Sequence, residues 1–196
     1  MFVDRTKFTA REREQIQLAA ERWERIITEG VEDHSFVNQP YRRYDNLLET
    51  TLEVQDQVDD IRIFVGTFNE PETSILARGG ARWVRGDSYK PSLGVIAFNE
   101  AELNWIDSSS GWYGISLHEI AHALGFYAWF WESERHDLLR NPSESNSEAD
   151  VHFIGVNAIR TFNDLGGRNY RGPKVPSQPN TPNTCLLYTS PSPRDS

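Results

Sequence analysis

The chain has 196 residues, a formal net charge of −9, 12% aromatic side chains and one cysteine, Cys185. The acidic balance argues against a nucleic-acid partner, and a lone thiol excludes both a disulfide framework and a Cys-ligated zinc site. No apolar run approaches the ~20 residues needed to cross a bilayer, and the residues after Met1 lack the apolar core of a signal peptide, although Met1 would be internal if the chain were a fragment.

Thr9 and Glu12 form a capping-box pattern, and Ile16, Ala19, Ala20, Trp23, Ile26 and Ile27 then mark one face of a helix expected to end at Gly30. Residues 32–51 are polar and irregular apart from their tyrosines and read as loop. Strand signals follow at 61–65, stopped by Gly66, at 75–84, interrupted by Gly79 and Gly80, and at 93–98. These strands are expected to form one twisted sheet.

The next helix carries the chemistry. His118, Glu119 and His122 stand as HExxH, with Gly125 three residues on. Four helical residues turn through about 400°, so both imidazoles project from one face, close enough to hold one ion. Glu119 adjoins them as the candidate general base for a metal-activated water. Tyr113, Leu117, Ile120, Ala121 and Leu124 have the spacing of a buried stripe, which would leave His118 and His122 on another face. Ser109 or Ser110 is the expected cap, and Gly125 suits the left-handed residue just past a helix end.

Five of the six residues at 126–131 are aromatic, which reads either as core packing under the helix or as an apolar wall beside a substrate pocket. Residues 141–150 read as surface loop. Ile154, Ala158, Ile159, Phe162 and Leu165 make a second amphipathic pattern, closed by Gly166 and Gly167. A Pro-punctuated stretch occupies 173–182. Residues 185–195 resemble a translated transposase adapter from sequencing libraries and are set aside. One catalytic domain, cut short at about 184, is therefore expected, with 185–196 no domain at all.

Two protein ligands hold zinc poorly, so a third is required. The close-spaced third histidine of HExxHxxGxxH would fall at 128, where the chain has Ala128. His136 and His152 remain candidates, as do Glu144 and Glu148 for an arrangement with a downstream glutamate. Nothing in their flanks marks a second metal-bearing helix, and His34 has no metal context. The acidic run at 132–150 reads as a solvated loop rather than a calcium site.

The HEIAHALGF segment at 118–126 resembles the leishmanolysin-like metallopeptidases, especially their secreted bacterial relatives. The resemblance extends to AAERWERII at 19–27, DDIRIFVG at 59–66, LGVIAF at 93–98, HFIGVNAIRTF at 152–162, LGG at 165–167 and KVP at 174–176. It implies an α+β, zincin-like (metzincin) fold, with a twisted mixed sheet packed on the HExxH helix and an incomplete C-terminal subdomain. It also implies Zn2+ held by His118 and His122, Glu119 as general base, protein or peptide substrates, and an extracellular or cell-surface location. In that family the third zinc histidine and a methionine turn follow the segment resembling Val175 and Pro176. Here the adapter-like tail begins at that point, and Met1 is the only methionine, so the chain as written is expected to be inactive.

The expected function is zinc-dependent endopeptidase. The rival is a catalytically inactive zincin-fold module that binds a partner or carbohydrate. The intact Glu119 argues against that rival, and the missing third ligand argues for it if the tail proves genuine. A metal-free structural domain is a third reading.

Overall fold

The computed structural model describes residues 1–126, 137–140, 152–164, 166 and 175–176. The chain is mixed α+β and divides into two compact units, Met1–Gly125 and Phe126–Ser196.

In the first unit, helix α1 (Ala10–Ile26) starts at the capping box read from the sequence. Thr9 accepts from the Glu12 N–H while the Glu12 side chain accepts from the Thr9 N–H, so two orphan donors of the first turn are satisfied reciprocally. The helix ends earlier than Gly30. Ile16 and Ala19 are buried, whereas Ile26 and Ile27 are exposed, because the last turn runs past the surface it packs on.

Residues 32–51 are not loop throughout, as their composition suggested. A short strand β1 (His34–Ser35) and a hairpin of β2 (Tyr41–Asp45) and β3 (Thr50–Val54) lie in or beside this stretch, and β1 pairs antiparallel with β4 (Gln57–Val58). The hairpin turn is organised by Asp45, whose Oδ1 accepts from the Leu47 and Leu48 N–H groups, a side-chain imitation of a backbone turn.

The central sheet has the order β5 (Arg62–Phe68), β7 (Pro91–Asn99), β6 (Ala77–Val84), with β5 parallel and β6 antiparallel to β7. All of β7 is buried. Leu93, Val95 and Ala97 join Phe36, Tyr41, Leu52 and Phe64 on the hairpin side, while Ile96 and Phe98 join Ile16, Ala19, Ile120 and Ala123 on the helix side. A strand covered on both faces reads as a continuous apolar run, and each large side chain buried there contributes roughly 1.5–3 kcal/mol.

Two strands run further than the sequence suggested. β5 continues through Gly66 to Phe68, and β6 runs unbroken through Gly79 and Gly80. The outer edge of β5 is covered near the N-terminus, where the Val3 N–H donates to Val65 O and the Val65 N–H donates to Met1 O. Among the described residues, β6 pairs with no strand on its outer side.

After β7 come a short helix α2 (Leu103–Ser108) and then α3 (Trp112–Ala123). Neither serine caps α3. Its N-cap is Gly111, with no side-chain hydrogen bond, Ser110 turns the chain with φ of 56°, and the Ser109 hydroxyl donates back to Ile106 O. Gly125 takes the left-handed conformation expected of it, with φ of 98°.

In the second unit, β8 (Leu139–Arg140), β9 (His152–Phe153) and β10 (Val175–Pro176) form an antiparallel sheet in the order β10, β9, β8. Helix α4 (Val156–Asp164) covers most of the second amphipathic pattern, and Gly166 follows with φ of 105°. Residues 127–131, His136, the acidic residues at 132–135 and 141–150 (Glu144 and Glu148 among them), Leu165, Gly167, most of 173–182 and the 185–195 tail lie outside the described residues. Among the described residues no helix is long and apolar enough to cross a membrane.

Candidate metal-binding site

Helix α3 brings His118, Glu119 and His122 to one place. Its buried residues are Trp112, Ser116, Glu119, Ile120, Ala121, His122 and Ala123, a stripe rotated from the expected one. Tyr113, Leu117 and Leu124 are only partly buried, because the helix uses two faces. One lies on the sheet. The other meets α1, where Trp23 Nε1 donates to Leu117 O at 3.1 Å.

Contact with the sheet is close because the strands present glycines. A Cβ built at Gly79 would collide with the backbone of Glu119, and one at Gly94 would lie 2.8 Å from the Ala123 Cβ. Gly79, which reads as a strand interruption, and Gly94, within the β7 run, are thus the places where α3 seats on β6 and β7.

The Nε2 atoms of His118 and His122 are 3.1 Å apart, with ring centroids 4.8 Å apart. Two imidazole nitrogens at the usual zinc distance from one ion stand roughly 3.1–3.4 Å apart, so the pair fits a shared metal. Partial burial lowers the pKa of His118, which favours the neutral, metal-binding imidazole. Glu119 is buried and its carboxyl accepts no hydrogen bond from a described residue. Loss of hydration raises its pKa to about 7.

Beside His118 and Glu119 lies a cavity of about 360 Å³, walled by Leu76, Ala77, Gly114 and Ile115. The sequence reading missed these wall residues. Gly114 and Ile115 precede His118 by four and three positions and so share its helix face, a signal that was available. Ala77 opens the opposing strand and Leu76 precedes it, and both could be found only through tertiary pairing.

The other candidates are placed as follows. His34 lies on β1 with its ring against Phe36, centroids 4.5 Å apart, a packing role. His152 lies half-buried on β9 in the second unit. Among the described residues, no three His, Cys, Asp or Glu side chains are grouped to hold a metal. No family model matches the chain, and no curated protein matches it significantly.

Proposed function

We propose that this chain belongs to a zinc-dependent endopeptidase with a zincin-like (metzincin) fold. The observation that carries the proposal is the 3.1 Å approach of the His118 and His122 Nε2 atoms on a helix whose His118 and buried Glu119 line one cavity. A bound Zn2+ would supply Lewis-acid polarisation of a carbonyl and would lower the pKa of water toward ~7. His118 and His122 would hold it, and the third ligand would come from His136, His152, Glu144, Glu148 or a residue that is not in this sequence.

Glu119 takes the proton of the attacking water and delivers it to the leaving amine. A carboxyl with a pKa near that of its partner exchanges protons in both directions at little cost. The outer edge of β6 begins at Ala77, which also walls the cavity. An extended peptide adding to that edge as another strand would pass the histidines with alternate side chains aimed into the cavity. The leishmanolysin-like resemblance extends the proposal to secreted or cell-surface action on proteins.

The inactive binding module remains the second reading, favoured by the absence of a three-ligand group among the described residues. The test is the protein loaded with zinc. Glu119→Gln in that form should keep zinc stoichiometric and lower peptide hydrolysis by about 10² or more, the scale of a lost general base. Ordinary hydrolysis by the variant would end the proposed mechanism. Stoichiometric zinc with no hydrolysis by the parent would favour the binding module.

A further inference from the structure

The cavity beside His118 and Glu119 is walled on the sheet side by Leu76 and Ala77, at the very start of β6. That strand pairs with β7 alone among the described residues, so its first residues need another anchor. Asn99, the last residue of β7, is fully buried and lies opposite them. We infer that Asn99 is a positioning residue for the candidate site, fixing the connection at 69–76 and, through it, the Leu76 and Ala77 wall. The inference rests on the peptidase reading for what that wall receives, an extended peptide.

The first argument is how completely the Asn99 amide is used. A side-chain amide has two N–H donors and an oxygen with two lone pairs. Nδ2 donates to Glu70 O at 3.0 Å and to Ile75 O at 2.9 Å. Oδ1 accepts from the Glu70 N–H at 3.0 Å and from the Ala101 N–H at 3.3 Å. The Asn99 main chain adds a bond from its own N–H to Leu76 O at 2.9 Å. One residue therefore grips Glu70 by both main-chain groups at the start of the connection, and Ile75 and Leu76 at its end.

The connection has little else to hold it. Residues 71–75 are mostly exposed, so packing alone would leave them free to open. Within the loop, the Thr73 N–H and hydroxyl both donate to Glu70 O, at 3.3 and 3.2 Å, which closes the turn on the atom that Asn99 already holds. A buried polar network with every member satisfied specifies one geometry. The consequence falls on Leu76 and Ala77, because a wall and strand edge already ordered in the free protein avoid an ordering cost when a peptide binds.

Asn99 also has a plainer role, since its Oδ1 caps the turn at Glu100–Glu102. Asn99→Ser and Asn99→Asp separate the two. Both replacements are good caps, yet neither side chain can donate to Glu70 O and Ile75 O together. The 196-residue chain is held in chelator, well below its thermal transition, and amide exchange is followed by NMR. In the parent the Glu70 N–H should exchange as slowly as the β6 amides bonded to β7, although the residues after it are mostly exposed. In both variants exchange across 70–77 should rise about tenfold or more, with α3 unchanged. The second readout is binding of acetyl-Ala-Ala-Leu-Ala-Ala-amide, followed by the Gly114 and Ile115 amide shifts. Its affinity should fall about fivefold or more in both variants. Fast Glu70 exchange in the parent would overturn the inference without any variant having to fold. Parental exchange at 70–77 or parental peptide affinity in both variants would reduce Asn99 to a cap and overturn it as well. A parent whose Gly114 and Ile115 amides do not respond to the peptide would overturn the assignment of Leu76 and Ala77 as a substrate wall. Because chelator is present and no hydrolysis is read, failure of the zinc chemistry leaves these results untouched.

Discussion

Gly79 of β6 lies directly beneath the Glu119 carbonyl of α3, so close that no side chain fits between them. The general-base candidate is therefore positioned by what the strand lacks. Gly79→Ala should push α3 off the sheet and cost roughly 1–3 kcal/mol, the usual penalty for overpacking. Urea denaturation reads the loss. Gly94→Ala would set its Cβ 2.8 Å from the Ala123 Cβ, a methyl fixed to the α3 backbone, and should cost a similar amount. A Gly79→Ala protein as stable as the parent would show that the helix does not seat there.

Arg85 is buried, and its guanidinium donates to three main-chain carbonyls, Glu32 O, Pro91 O and Asp60 O, at 2.8, 2.8 and 2.6 Å. It ties the loop after α1, the residues ahead of β5 and the start of β7 together. Arg85→Met keeps the stem and strands three acceptors, so it should destabilise by roughly 3–5 kcal/mol, within the range for breaking a buried charged network. Arg85→Lys cannot span all three and should fall between. Thermal melting of the three proteins should give the order Arg, Lys, Met, and a Met variant equal to the parent would remove the argument.

How much of this was legible in the sequence depends on the reach of each signal. The α1 capping box, the β7 run and the Gly125 turn are local, and the sequence showed all three. His118, Glu119 and His122 were legible for the same reason, since the i, i+4 spacing alone brings two imidazoles together. The β2–β3 hairpin was not, because Arg42, Arg43 and Tyr44 are exposed and only Tyr41 and Asp45 of β2 are buried, which spoils alternation. Gly79 and Gly80 misled in a different way. They looked like breakers, and the role of Gly79 is visible only with Glu119 laid against it. Ser109 and Ser110 likewise looked like caps until the α2–α3 turn consumed them. The cavity wall needed strand and helix together.

Glu119 gives a pH prediction for the metal-free protein. Burial raises its folded pKa from 4.5 to about 7, so the folded state holds a proton that the unfolded state releases. Stability is then unaffected by this group below about pH 4.5, falls as pH rises between the two values, and levels off above about 7. The full loss is about 3 kcal/mol as an upper figure, at 1.36 kcal/mol per pKa unit. In chelator, Glu119→Gln should abolish that decline and be the more stable protein at pH 8, read by urea midpoints from pH 4 to 8. Parallel profiles for the two proteins would mean that the carboxyl is hydrated in solution.

The last prediction concerns zinc in the 196-residue chain. His118 and His122 are fixed on one helix with their Nε2 atoms at a metal-sharing distance, so the chain should bind zinc. Among the described residues, however, no third ligand joins them. Durable zinc sites use three or four protein ligands in good geometry; with these two histidines alone the ion should be weakly held and removed by dialysis against a modest chelator, and casein cleavage should be slight. His118→Ala and His122→Ala should each abolish the remaining zinc uptake, because a single imidazole is left. Zinc content by metal analysis, before and after dialysis, reads all three proteins. If zinc survives dialysis at one per chain and cleavage is robust, then a third ligand is already present, and His152→Ala and His136→Ala identify it. If uptake is unchanged in both helix variants, the metal site lies elsewhere and the zinc peptidase reading falls with it.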